Sequence, residues 1–244
     1  MKAIFKREFV SYFKSPIGYI FIGLFFAFSS LIFMTTNVLY GTTSMTNYFV
    51  TNCYIFIVAV PLLTMKMFSE EKKLKTDQLL LTAPVKVTEI ALGKFLSALA
   101  ILGIAVLSTV IYLPFMKIYG NPAILESVIG YIGIFLFGAM LVSIGMFISN
   151  LTQSQVISAI ATLAVVAVLM MAGSINLDFT LLFNGVFGFL GAFLNGALEF
   201  LNVTERFYDF ASGTLNVVPL VYFVSFTALF ILLTVNTIEK RRWR

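Results

Sequence analysis

Histidine is absent from the 244 residues, and cysteine and tryptophan occur once each, at Cys53 and Trp243. Without histidine the common zinc clusters, Ser-His-Asp triads and Cys-His pairs cannot be built, and a single cysteine permits no intrachain disulfide. Charge is scarce too: Asp, Glu, Lys and Arg make up 11% of the chain, against roughly 25% in an ordinary soluble domain. What is abundant is apolar: 60% of residues are hydrophobic and the mean hydropathy is +1.00. A hydrocarbon core of about 30 Å takes about 20 apolar residues per helix, so composition predicts an all-α membrane protein of about five to seven spans. The net charge of +5 then bears on orientation in a bilayer, and nucleic acid is not expected as a partner.

Residues 15–65 contain no charged side chain, nor do residues 127–177, and each run is broken once by a polar stretch, at 41–47 and 149–155. The pattern predicts six transmembrane helices at about 17–39, 48–65, 95–116, 128–148, 156–175 and 217–236. Between the second and third, positions 67–94 gather Glu70, Glu71, Lys72, Lys73, Lys75, Asp77, Lys86 and Glu89. Each such charge costs roughly 2.5–3.5 kcal/mol at the bilayer centre, which places the segment in water. Residues 179–198, uncharged and rich in Phe and Gly, are long enough for a seventh span. With six spans and both termini cytoplasmic, every Lys and Arg except Lys117 and Arg206 falls on the inside, the positive-inside arrangement that a seventh span would break. The stretch therefore reads as an exterior re-entrant or interfacial hairpin within 176–216, tolerated at membrane depth only if packed against other protein.

Residues 1–16 read as an interfacial helix. At 100° per residue Ile4, Phe5, Phe9, Tyr12 and Phe13 share one face and Lys6, Arg7, Ser11 and Lys14 the other. Glu8 falls on the apolar side, where it either pairs with a neighbouring lysine or contacts the cytoplasmic loop. In that loop Leu74, Gln78, Leu79 and Leu81 suggest one short amphipathic helix, stopped at Pro84, and residues 89–94 a second. The loop is either a solvated connector or a docking element for a cytosolic partner. No Walker A pattern exists: Gly93-Lys94 lacks the upstream glycine and is followed by Phe95, so any use of ATP is supplied in trans. The span cores hold no ionisable residue, which removes the apparatus of proton relays and voltage sensors. A path of Phe, Met, Ser, Thr and Asn suits an amphipathic or lipid-like substrate. The exterior cluster from Asn202 to Phe210 is an interfacial belt or a lid over an exit path.

Several blocks carry a resemblance: Phe5-Lys6-Arg7-Glu8, Tyr12-Phe13-Lys14-Ser15-Pro16, Pro61 through Lys72, Asp77 through Val85, and Glu89 through Phe95. In their order and spacing the chain resembles permease subunits of type-2 ATP-binding-cassette exporters, in the bacterial branch that includes gliding-motility permeases. The resemblance implies a single permease domain over 1–244, with an elbow helix at 1–16, a coupling segment at 67–94 and an exterior gate within 176–216. It implies coupling residues Glu70, Glu71, Lys72, Asp77 and Pro84, elbow residues Lys6, Arg7 and Glu8, and gate residues Glu205, Arg206, Phe207 and Gly213. It implies no catalytic residue, metal or cofactor in this chain: ATP and Mg belong to two copies of a separate ATPase, beside a second permease half, identical or related, in the bacterial cytoplasmic membrane. Where the family has a capping Ser or Asp after Pro-Val, Lys86 and Val87 stand here, leaving Thr88 as the expected cap. The family's Arg-Gly before the last span is Ser212-Gly213. The alternative is a non-transporting partner that passes ATPase motion to a gliding or envelope-assembly machine.

Overall fold

The computed structural model describes residues 1–76, 85–171, 196 and 202–242. All regular structure among them is helical. Helix α1, Lys2–Lys14, carries the two faces the sequence predicts: Lys6, Arg7, Ser11 and Lys14 are exposed, Ile4, Phe5, Phe9 and Phe13 are half-buried, and Tyr12 is buried. Ser15 is extended and Pro16 opens α2, its missing amide matching a position where no intrahelical bond is made. At this corner Gly18 lies under the Tyr12 carbonyl, which a Cβ would approach to 2.7 Å. Helix α2 runs from Pro16 to Phe33 and widens into a π turn at Met34–Val38.

Helix α3 spans Thr46–Lys73 but is not continuous. A tight turn at Cys53–Ile55 precedes Phe56–Thr64, which contains Pro61, and residues 65–68 turn before the short helix Ser69–Lys73. Helix α4, Val87–Met116, is regular from Val87 to Ser108 and tightens at Thr109–Ile111. Helices α5, Ile124–Leu151, and α6, Gln155–Met171, follow, then the short α7, Val203–Ala211, and α8, Val217–Arg242.

Among the described residues, α2 with its π turn, α3, α4, α5 and α8 are long and apolar enough to cross a membrane. They coincide with five of the six expected spans. The remaining one, 156–175, corresponds to α6, an apolar helix of 17 residues that adjoins undescribed ones. The expected re-entrant stretch at 179–198, Asp77 and Pro84 lie outside the described residues, apart from Gly196. Two expectations are corrected. Residues 89–94 form no separate helix but the first turns of α4. That helix begins at Val87 with Lys86 at its cap position, extended and without a side-chain cap bond, so Thr88 sits inside the first turn and does not cap it.

Helix α5 is the centre, touching α3, α4, α6, α7 and α8. Lipid tails are as apolar as leucine, so burial in a bilayer gains little from hydrophobicity and depends on close contact through small residues. Along α5 the glycines supply it: Phe49 covers Gly130, Phe210 covers Gly133, Leu102 and Phe56 cover Gly138, and Thr64 covers Gly145. Phe137, fully buried on the same helix, joins Phe56, Phe207 and Phe223 at ring separations of 5.4–6.0 Å. One set of polar groups inside the bundle is bonded together: Ser29 donates to Asn52 at 2.8 Å, and Asn52 to the Tyr48 hydroxyl at 3.3 Å.

Candidate functional site

Charge collects inside the protein where α1, the end of α3 and the start of α4 meet. Lys94 lies about two turns into α4, on a face where Ile90, Ala91 and Gly93 are also buried. Gly93 lets α1 approach so closely that a Cβ there would stand 2.9 Å from Ile4. Only 2% of the Lys94 side chain is exposed. An ammonium so placed must be paired and fully hydrogen-bonded, because removing it from water costs several kcal/mol.

Its partners come from two directions. Lys94 Nζ donates to the Met67 carbonyl at 2.7 Å, lies 3.0 Å from Glu71 Oε1 and 3.3 Å from Glu8 Oε2, and sits 5.1 Å from the centre of the Phe68 ring. Arg7 completes the cluster at the surface: its Nε donates to Glu8 Oε1 at 3.1 Å and its Nη2 to Glu71 Oε1 at 3.0 Å. Two cations and two carboxylates thus form a neutral set graded from the buried Lys94 to the half-exposed Arg7. Burial works against the Arg7 charge, but Glu8 and Glu71 outweigh it and raise its pKa. With three acceptors for its three protons, Lys94 is a fastening and offers no free amine for chemistry.

A pocket of about 310 Å³ opens beside the cluster, lined by Arg7, Glu8, Tyr12, Lys66, Glu71 and Lys94 among others. Tyr12 donates from α1 to the Leu63 carbonyl at 3.1 Å. Ser149 of α5 reaches the break in α3: its Oγ accepts from the amides of Phe68 and Ser69 at 3.1 and 3.3 Å and donates to the Met65 carbonyl at 3.3 Å. The helix Ser69–Lys73 has no side-chain cap of its own, so α5 supplies one in trans. Lys75, left-handed at φ 56°, and the Thr76 amide bonded to the Glu71 carbonyl end that helix.

The structure brings together Arg7, Glu8 and Glu71, three of the residues singled out in the sequence, and of the two readings of Glu8 the contact to the 67–94 segment is the one seen, directly at Lys94 and through Arg7 to Glu71. Glu70 pairs at 3.7 Å with Lys66 one turn earlier, and Lys6 is exposed on α1. Lys72 lies in the short helix Ser69–Lys73. Within 67–94 the residues Met67, Phe68, Ser69, Val87, Ile90, Ala91 and Lys94 are buried against the protein's own helices, so the segment is packed and not a loose solvated loop. Lys94 and Ser149 escaped the sequence reading. For neither residue did a local pattern exist.

At the other end of the bundle Glu205, Arg206 and Phe207 lie on α7 and Gly213 just beyond its end. Asn202 caps the helix, accepting from the Glu205 amide at 3.2 Å and donating to its carboxylate at 2.8 Å. Arg206 lies 4.6 Å over the Tyr222 ring of α8, and Phe207 is fully buried against Phe137. Gly213, at φ +79°, turns the chain so close to α5 that a Cβ would stand 2.5 Å from the Glu126 side chain.

A multi-pass helical membrane protein, fastened at one end by a buried charge cluster, is the class these features define. The family model for the ABC-2 family transporter protein matches residues 26–238, and the chain belongs to that family of membrane transport components. No curated protein matches it. Family membership brings with it an ABC ATPase as the general partner.

Proposed function

We propose that this chain is one permease half of an ATP-driven exporter, working with a second half, identical or related, and two copies of a separate ATPase that binds the ATP and Mg. Membership of the ABC-2 transporter family over residues 26–238 carries the reading. On this reading the protein lies in the cytoplasmic membrane of a bacterium with α1 and both termini on the cytoplasmic side, and α1 acts as the elbow helix through Lys6, Arg7 and Glu8. Glu70, Glu71, Lys72, Asp77 and Pro84 belong to the segment that receives the ATPase motion, a role supported by the attachment of Ser69–Lys73 to three helices. Glu205, Arg206, Phe207 and Gly213 form the exterior gate, and the cargo is amphipathic, lipid-like or a peptide.

The test is to purify the tagged chain in mild detergent from its native membrane and identify what accompanies it. A Walker-motif ATPase, lost when 67–81 is replaced by a neutral linker that preserves insertion, supports the reading. A chain recovered alone and intact, under conditions that retain known ATPase complexes, overturns it. Flux in vesicles with and without the ATPase then separates transport from the transmission of motion to another machine.

A further inference from the structure

Helix α3 is a poor strut. Any displacement entering at Ser69–Lys73 and travelling along α3 meets the turn at 65–68, then Pro61, which lacks the amide for the preceding turn, then the tight turn at Cys53–Ile55. Helix α4 is regular from Val87 to Ser108, and Lys94 grips α3 on both sides of residue 68, at the Met67 carbonyl and the Glu71 carboxylate. Ser149 holds the broken turn itself against α5.

We propose that Lys94 is a positioning residue that carries displacement of Ser69–Lys73 into α4, past the interruptions of α3. Ser149 is the pivot on α5, the Lys94 contacts are the arm, and Glu8 with Arg7 makes α1 follow. The inference rests on the ATPase-driven reading above and adds a route: the continuous α4 moves first, while α3 bends at its breaks. A charged contact suits this task because each of its four groups is matched by an opposite charge within the cluster. Each of the four touches both opposite charges, so sliding any one breaks two contacts at once, which makes the joint stiff.

The complex with its ATPase, in lipid nanodiscs, tests this. The buried Cys53 is replaced by Ala, and spin labels are placed at Ile118, beyond the end of α4, and Leu215, before α8, both exposed. The unsubstituted joint gives an ATP-dependent change in the label distance. Lys94→Met is expected to lose most of that change while ATPase binding and basal hydrolysis persist, and Lys94→Arg to restore a large part of it. Because Lys94→Met leaves two carboxylates with Arg7 alone, the variant E8Q/E71Q/K94M, which removes the three more deeply buried charges together and leaves the half-exposed Arg7, decides the matter if the single variant does not fold. It is expected to fold and to lose the distance change. A full change in either Lys94→Met or the triple variant overturns the route. Absence of any change in the unsubstituted complex overturns the ATPase-driven reading on which it rests.

Discussion

Tyr12 of α1 donates its hydroxyl to the Leu63 carbonyl of α3 at 3.1 Å, where the helix opens and the Met67 amide turns to Thr64. A carbonyl near the end of a helical run has no partner in its own helix, and α1 supplies one. Removing the hydroxyl by Tyr12→Phe leaves that carbonyl buried, at a cost of about 1–3 kcal/mol. Thermal unfolding in detergent measures it.

The same phenol gives a pH signature. Burial, aided by the Glu8 carboxylate, pushes its pKa above the ordinary value of about 10. A raised folded pKa means that the stabilisation is complete below the unfolded value and is lost as pH rises toward the folded one. The stability advantage of wild type over Tyr12→Phe is therefore expected to be flat between about pH 6 and 9 and to shrink above about 10. An advantage that grows with alkalinity would contradict the assignment.

Ser149 gives a second prediction. Ser149→Ala strands the Phe68 and Ser69 amides, and a loss of about 1–3 kcal/mol is expected, with Ser149→Thr retaining most of it. Amide exchange at residues 68 and 69 should quicken in the alanine variant ahead of the rest of α3; unchanged exchange would remove Ser149 as the cap.

Two left-handed residues should respond in opposite senses. At Gly213 alanine meets both an unfavourable φ and the Glu126 side chain, so Gly213→Ala is expected to destabilise by about 1–3 kcal/mol. Lys75 already bears a side chain at φ 56°, and Lys75→Gly is expected to stabilise by up to about 1 kcal/mol. Melting temperatures of the two variants falling on the same side of wild type would contradict the pairing.

The sequence disclosed what depends on neighbours within a turn or a span. The two faces of α1 follow from a 3.6-residue period, and five spans follow from uncharged runs of bilayer length. What it hid depends on distant chain. Lys94 counts as water-loving in any local reading, and its burial is set by Glu8 and Glu71, which only the tertiary fold brings to it. Continuity of 89–94 with α4 was masked for the same reason, since Glu89 and Lys94 look like a loop until their partners are known. The Gly130, Gly133, Gly138 and Gly145 series was visible, but which aromatic or hydroxyl each would receive was not.

Those four glycines make α5 different in kind from its neighbours. In its most apolar stretch 72% of residues are buried, against 22% in α8, and the ring of Phe49, Phe210, Phe56 and Thr64 is seated where side chains of α5 would otherwise stand. A helix socketed on so many sides can neither roll nor slide without dislodging several neighbours at once. It is the fixed axis of this bundle, the member against which α3, α4, α6, α7 and α8 are seated.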